Sequence, residues 1–352
     1  MSRFFSQKHS KLTPYVPGEQ PQDRQYIKLN TNESPFPPSK KAQQYAKEAA
    51  GRLQLYPDPD CRELKAALAK TCGVRPDNVV LTNGSDEALY FAFLAYCDET
   101  SPAAFPDITY GFYPVFATLA GVPFIEIPLK EDFSLDPADY KTDRYTLFIA
   151  NPNAPTGIAL PQSEIEAIVA ANPDRVVVVD EAYIDFGGQS ALPLVEKYGN
   201  LLVVGTFSKS RSMAGARLGF AVGQTELVAD LETLRYSTNP YNINRMTMAA
   251  GLGALSDEDY TKANCQTIIE NRAFAAAELQ KLGFTVTNSA ANFLFAKHPD
   301  IDGETLYLKL KEKGVLVRHF KLERIRDYNR ITVGTKAQMQ ALLTAIKEIL
   351  EA

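Results

Sequence analysis

The chain has 352 residues, 45% hydrophobic and 22% charged, with a formal net charge of −5, a length that allows two domains and a substantial core. Mild acidity without long basic runs gives no electrostatic footprint for nucleic acid, and no apolar run approaches the ~18 residues of a membrane span. Cys61, Cys72, Cys97 and Cys265 are too scattered for a disulfide framework, and His9, His298 and His319 lack ligand spacing, so no metal is expected. Met1-Ser2-Arg3-Phe4-Phe5 meets polar residues at once, unlike a secretory signal, and a cytoplasmic protein is expected.

Residues 1–35 are rich in Pro, Gln, Lys and Ser, with a short strand only at Ile27–Asn30, and read as an arm packing with a smaller C-terminal domain. Helices are predicted at Lys40–Gly51, opened by Pro37-Pro38-Ser39, and at Cys61–Cys72. Strand Val79–Thr82, helix Ser85–Tyr96, strands Val122–Ile127 and Thr146–Ala150, and helix Ser163–Ala171 come next. Strands Val176–Asp180, Leu201–Gly205 and Leu218–Val222 complete this part. Runs apolar at nearly every position, alternating with helices, predict a mainly parallel sheet covered on both faces, where ligands gather at the carboxyl ends of strands. Beyond Asn239 the pattern changes. A helical stretch from Ile243 to Leu282 precedes strands Asn292–Ala296, Val315–Phe320 and Arg330–Val333, with helices Gly303–Lys313 and Lys336–Leu350. The expected class is therefore α/β: a three-layer αβα large domain over 36–240 and a smaller α+β domain over 241–352.

Two of the strand ends carry complementary chemistry. Val176–Asp180 runs into Asp180-Glu181-Ala182-Tyr183, and Leu201–Gly205 runs into Thr206-Phe207-Ser208-Lys209, with Arg217 eight positions on. A lysine and an aspartate delivered this way suit pyridoxal phosphate held as a Schiff base: Lys209 would carry the aldehyde carbon and Asp180 would pair with the pyridinium nitrogen. Ser208 and Arg217 would bind the phosphate. Taken singly, Asp180 reads as a loop cap and Lys209 or Arg217 as a solvated charge; the combination after a buried strand is far less generic.

Gly84-Ser85-Asp86-Glu87, between a strand and a helix, offers exposed backbone N–H groups to an anion, although Ser85 with two acids is also an ordinary helix start. Asn151-Pro152-Asn153-Ala154-Pro155-Thr156-Gly157 is a Pro/Gly turn whose position at a strand end allows Asn153 a ring contact. Tyr110 could stack on a planar ring. Arg318 and Arg330, at strand edges of the smaller domain, would together clamp a phosphate or carboxylate, while each alone reads as a surface charge.

With Leu12-Thr13-Pro14-Tyr15, Leu29-Asn30-Thr31-Asn32-Glu33-Ser34-Pro35 and Tyr56-Pro57-Asp58-Pro59, these motifs span nearly the whole chain. They resemble the fold type I pyridoxal-phosphate aminotransferases, and among them the histidinol-phosphate aminotransferases. The resemblance implies that Tyr183 hydrogen-bonds the ring oxygen and that the backbone at Ser85 and Asp86, with Thr206, Ser208 and Arg217, holds the cofactor phosphate. It implies a homodimer in which Tyr56 reaches the neighbouring subunit's phosphate, and it matches Tyr15, Asn32, Arg318 and Arg330 to the substrate's anionic end. Many relatives carry Asn where this chain has Ala154, so either Asn153 reaches over or Tyr183 acts with less help.

The implied reaction is histidinol phosphate with 2-oxoglutarate giving imidazole-acetol phosphate and glutamate, with freed Lys209 as the general base. An aromatic-amino-acid aminotransferase or a threonine-phosphate decarboxylase would keep Lys209, Asp180 and Arg217. A ligand-sensing regulatory module is the non-enzyme alternative, but residues 1–35 are too short and Pro-rich for a helix-turn-helix.

Overall fold

The computed structural model describes residues 2–351. An extended arm leads into β1 (Ile27–Lys28), α1 (Lys40–Ala50) and α2 (Arg62–Cys72). The Pro-Pro-Ser signal starts α1 as its residues require: Ser39 Oγ accepts the Ala42 N–H at 3.1 Å, satisfying one of the orphan donors of the first turn. There follow β2 (Val79–Thr82), α3 (Ser85–Tyr96), β3 (Ala103–Pro106), α4 (Tyr113–Ala120), β4 (Phe124–Ile127), β5 (Thr146–Ala150), α5 (Gln162–Ala170), β6 (Val177–Asp180), β7 (Leu201–Thr206) and β8 (Gly219–Val222). These strands form one seven-stranded sheet in the order β2-β8-β7-β6-β5-β3-β4, parallel except for β8, which runs against both neighbours.

Every residue of β2, β3, β5, β6 and β7 is buried, as continuous apolar runs in a doubly covered sheet demand. Side chains alternate between the faces. Leu147, Ile149, Val177, Val179, Leu201 and Val203 pack with α2 and α5 on one side, and Phe148, Val178, Leu202 and Val204 pack with α3 and α4 on the other. The pair β3 and α4 was not anticipated from sequence, because Pro102 and Pro106 bracket a short Ala-rich strand and Pro114 sits in the first turn of α4.

Also unanticipated is α6 (Thr225–Thr238), whose apolar residues form no strong stripe. The helical stretch expected from Ile243 to Leu282 is two helices, α7 (Arg245–Leu255) and α8 (Glu258–Lys281), parted at Ser256-Asp257. Ala250, Ala254 and Leu255 of α7 join the core of the large sheet, whereas Cys265, Ile268, Ala275 and Leu279 of α8 join a second core. That core is completed by β9 (Thr285–Val286), β10 (Phe293–Lys297), α9 (Gly303–Glu312), β11 (Val315–Leu316), β12 (Arg318–His319), β13 (Asn329–Thr332) and α10 (Lys336–Leu350).

The strand expected at Val315–Phe320 is divided. Val315 and Leu316 pair in parallel with β1, while Arg318 and His319 pair with β13 in the four-stranded sheet β12-β13-β10-β9. The arm is thereby tied to the second unit before the chain enters the first. Among the described residues no helix is long and apolar enough to cross a membrane, and no group of His, Cys, Asp and Glu side chains is placed to hold a metal ion.

Candidate active site

Parallel register brings the reactive ends together. Ala150 is opposite Asp180, and Asp180 is opposite Val204, so the segments after β5, β6 and β7 open on one side of the sheet. They line a cavity of about 320 Å³ with Lys209, Asp180, Tyr183, Ser85, Asp86, Thr206, Ser208, Arg217, Tyr110 and Ala154 on its walls. Ten positions scattered over more than a hundred residues thus converge on one space.

At one end lies the start of α3. Gly84 precedes the helix at φ 78°, and a Cβ there would collide with the Arg217 guanidinium. A Cβ at Gly219, on β8, would collide with the Gly84 and Ser85 backbone; two glycines therefore let helix N-terminus, strand and guanidinium meet. Arg217 Nη2 donates to Asp86 Oδ2 at 2.8 Å, and the Tyr110 hydroxyl donates to Asp86 Oδ1 at 2.7 Å. The Ser208 N–H donates to Thr206 Oγ1 at 3.1 Å, and that hydroxyl donates to Ser208 Oγ at 3.0 Å. Helix dipole, guanidinium and hydroxyls make an anion cradle suited to a phosphate.

At the other end Asp180 is 5% exposed and has no ion-pair partner among the described residues. Its Oδ1 accepts the Ala182 N–H at 3.1 Å and its Oδ2 accepts the Tyr113 hydroxyl at 3.2 Å. Burial pushes the carboxyl up to about 6, opposed by those two hydrogen bonds. A buried carboxylate on the cavity wall with no ion-pair partner of its own fits a pyridinium N–H. Lys209 is on the wall of the same cavity, its Nζ 5.5 Å from the Tyr183 ring centroid. Pyridoxal phosphate therefore matches the cavity at the phosphate end, at the ring nitrogen and at the lysine.

Not every expected residue joins this group. Asn153 does not reach over: its Nδ2 donates to Ile108 O at 2.9 Å and Thr156 Oγ1 at 3.0 Å, and its Oδ1 accepts from Thr109 at 2.8 Å. Its amide is spent on fixing neighbouring loops, and Ala154 occupies the wall. Asn32, held at φ 55°, donates from Nδ2 to the Tyr183 hydroxyl at 3.0 Å. Thr332 Oγ1 accepts the Asn32 N–H at 2.9 Å and donates to its Oδ1 at 3.1 Å. Asn32 is thus a buried prop for Tyr183 and does not itself line the cavity. Tyr56 is 77% exposed and stacks on Tyr241 with centroids 4.5 Å apart; it does not line the cavity.

A second cleft of about 580 Å³ continues from Tyr110 past Tyr15 to Arg318 and Arg330. The two arginines are cross-strand partners. Arg318 donates to Val16 O at 2.8 Å and Pro17 O at 3.1 Å, and Arg330 Nη2 donates to Asn30 O at 3.2 Å. Arg330 Nε is buried without a partner, and burial lowers the guanidinium from its ordinary range. Neither arginine has a carboxylate within ion-pair distance among the described residues.

Three contributors escaped the sequence reading. Tyr113 follows Tyr110 by one turn in a helix that the pattern did not reveal. Thr332 props Asn32 from the second unit. Arg324 Nη1 pairs with Asp107 Oδ2 at 2.7 Å, joining the arginine-bearing segment to the loop of Tyr110.

A family model described as aminotransferase class I and II matches residues 24–346. A histidinol-phosphate aminotransferase of a Marinomonas species is 51% identical over 353 residues, covering 99% of this chain and 100% of that one. The crystal structure of histidinol-phosphate aminotransferase from Sinorhizobium meliloti in complex with pyridoxal-5'-phosphate matches with a TM-score of 0.85 at 25% identity, over 93% of this chain and 92% of that one. An L-threonine-O-3-phosphate decarboxylase from Porphyromonas gingivalis, 22% identical with a TM-score of 0.81 over 92% of this chain and 99% of that one, shares the fold. The chain thus belongs to the class I and II aminotransferases, in their histidinol-phosphate aminotransferase branch, with pyridoxal phosphate as its cofactor.

Proposed function

We propose that the protein transfers the amino group of histidinol phosphate to 2-oxoglutarate, as a cytoplasmic homodimer with shared active sites. The observation that carries the substrate is Arg330: a guanidinium with a buried, unpartnered Nε and no countercharge, beside Arg318 in the cleft that opens from Tyr110. Leaving such a charge unpaired costs several kcal/mol, which a bound phosphate offsets.

Pyridoxal phosphate, when bound, supplies a carbonyl carbon that condenses with amines and a ring that withdraws electrons from the adjacent carbon. Lys209 Nζ would hold the cofactor and, when free, serve as the base that moves a proton at the substrate's reacting carbon. Asp180 would keep the ring nitrogen protonated, and Tyr183, propped by Asn32, would donate to the ring oxygen. The Ser85 and Asp86 backbone, Thr206, Ser208 and Arg217 would hold the phosphate, and Tyr110 would lie against the ring. Tyr15, Arg318 and Arg330 receive the anionic end of the substrate.

For the dimer, support comes from the exposed apolar and aromatic side chains Leu53, Leu55, Tyr56 and Tyr241, of which Tyr56 and Tyr241 stack on each other. The working division is an arm over 1–35, a large domain over 36–240 and a small domain over 241–352, with α7 reaching back onto the large one. The test is a panel of amino donors with 2-oxoglutarate. Glutamate formed from histidinol phosphate, well above that from aromatic amino acids, supports the reading. Carbon dioxide released from phosphothreonine without glutamate, or preference for an unphosphorylated aromatic donor, overturns it. No turnover of any donor despite bound cofactor would favour a sensing module.

A further inference from the structure

Tyr113 stands at the head of α4 with its side chain fully buried. Its N–H donates to Tyr110 O at 3.1 Å, so a single turn sets both tyrosines. Tyr110 lies on the cavity wall, while Tyr113 points its hydroxyl at Asp180 Oδ2, 3.2 Å away. The phenol ring cannot swing off this line. Tyr110 meets it edge-on at 5.7 Å, and Phe105, Phe148 and Phe93 surround it at 5.6, 5.9 and 6.4 Å.

A carboxylate opposite a pyridine nitrogen faces two alternatives. Either the proton sits on nitrogen and the pair is ionic, or it sits on the carboxyl and both groups are neutral. A dry cavity favours the neutral pair, because burial penalises both charges. Donors aimed at the carboxylate and nearby positive charge oppose that tendency. Asp180 has two of them, the Ala182 N–H on Oδ1 and the Tyr113 hydroxyl on Oδ2. The charges acting on it are Lys209, which helps, and Asp86, which hinders. The Ala182 donor is backbone and belongs to any residue there; the Tyr113 donor is specific to this side chain.

We propose that Tyr113 is a positioning residue that keeps Asp180 ionised and so retains the proton on the cofactor's ring nitrogen. Burial, with the negative charge of Asp180, raises the phenol well above its ordinary value, so Tyr113 remains a donor throughout the working pH range. The proposal rests on Asp180 facing the ring nitrogen.

Tyr113→Phe keeps the ring and its packing and removes only the hydroxyl. One readout is nitrogen NMR of protein saturated with ring-labelled cofactor. A second is the affinity of the cofactor-free protein for pyridoxal phosphate relative to an analogue with carbon in place of the ring nitrogen. The wild type is expected to show a protonated nitrogen and to prefer the natural cofactor. In Tyr113→Phe the nitrogen signal should move toward the unprotonated form and the preference fall roughly tenfold, the size of one hydrogen bond to a charged group. Both changes should vanish when Tyr113→Phe is made on Asp180→Asn. Tyr110→Phe should weaken both ligands alike and leave their ratio unchanged. An unchanged nitrogen signal and ratio in Tyr113→Phe overturn the role of Tyr113 alone, as does an equal change of ratio in Tyr110→Phe. An unprotonated nitrogen in the wild type overturns the role of Asp180 and this proposal together.

Discussion

Replacing Asp180 by asparagine should stabilise the cofactor-free protein and weaken the cofactor complex. Burial is the first cause that takes the Asp180 carboxyl from its ordinary 3.8 up to about 6. A rise of that size corresponds to about 3 kcal/mol of folding stability lost once the group is charged in both states. Its sign follows from proton counting. Between 3.8 and about 6 the folded carboxyl holds its proton while the unfolded one does not, so stability contributed by this group falls as pH rises through that window and is level above it. Asparagine does not titrate. The advantage of Asp180→Asn is therefore expected to be about 3 kcal/mol near pH 8, roughly half of that near pH 5, and to disappear under more acid conditions. Glu181, buried and pushed up to about 7, slopes the same way in both proteins and cancels to first order. Urea unfolding of cofactor-free wild type and variant across this range is the assay. With pyridoxal phosphate in excess that advantage should be nearly cancelled, since the ring nitrogen loses its countercharge and affinity falls about a hundredfold, or about 2.7 kcal/mol. A cofactor-free variant no more stable than wild type near pH 8 would refute the claim that a costly buried carboxylate is kept for the ring.

Arg330→Ala should raise the KM for the phosphorylated donor by about a hundredfold or more, the value of a charge-assisted anion contact in a partly buried site, with cofactor affinity nearly unchanged; equal losses in an equilibrium titration would count against this role. Asn32→Gly retains the backbone at φ 55° but removes the donor to Tyr183, and is expected to lower kcat about tenfold with only a small fall in melting temperature. A large loss of stability without a change in kcat would make Asn32 merely structural. If the proposed dimer shares its active sites, Tyr56→Phe should weaken cofactor binding about tenfold although Tyr56 does not line the cavity of its own chain, and the effect should be lost in any preparation that sedimentation shows to be monomeric.

The strands that carry the chemistry were legible because each is a continuous apolar run ending in a polar cluster, the signature of a doubly covered parallel sheet. β5, β6 and β7 follow that pattern, and the residues after them line the cavity. The region between α3 and β4 was not legible. Its strand is short and bracketed by prolines, and its helix begins at Tyr113-Pro114, so neither period nor propensity rose above the surrounding loop. Tyr113 was hidden with it. Asn153 and Asn32 show a different limit. Sequence places them beside the cavity, but the direction of each amide depends on Ile108, Thr109 and Thr156 in one case and on Tyr183 and Thr332 in the other. Those partners are brought in by tertiary packing, which no local pattern encodes.

The most direct measurement is borohydride reduction of the cofactor-loaded protein followed by peptide mapping. The expected result is a single labelled peptide containing Lys209, with no label in Lys209→Ala. Label on any other lysine in the wild type, or retained in Lys209→Ala, would contradict the covalent site on which the chemistry depends.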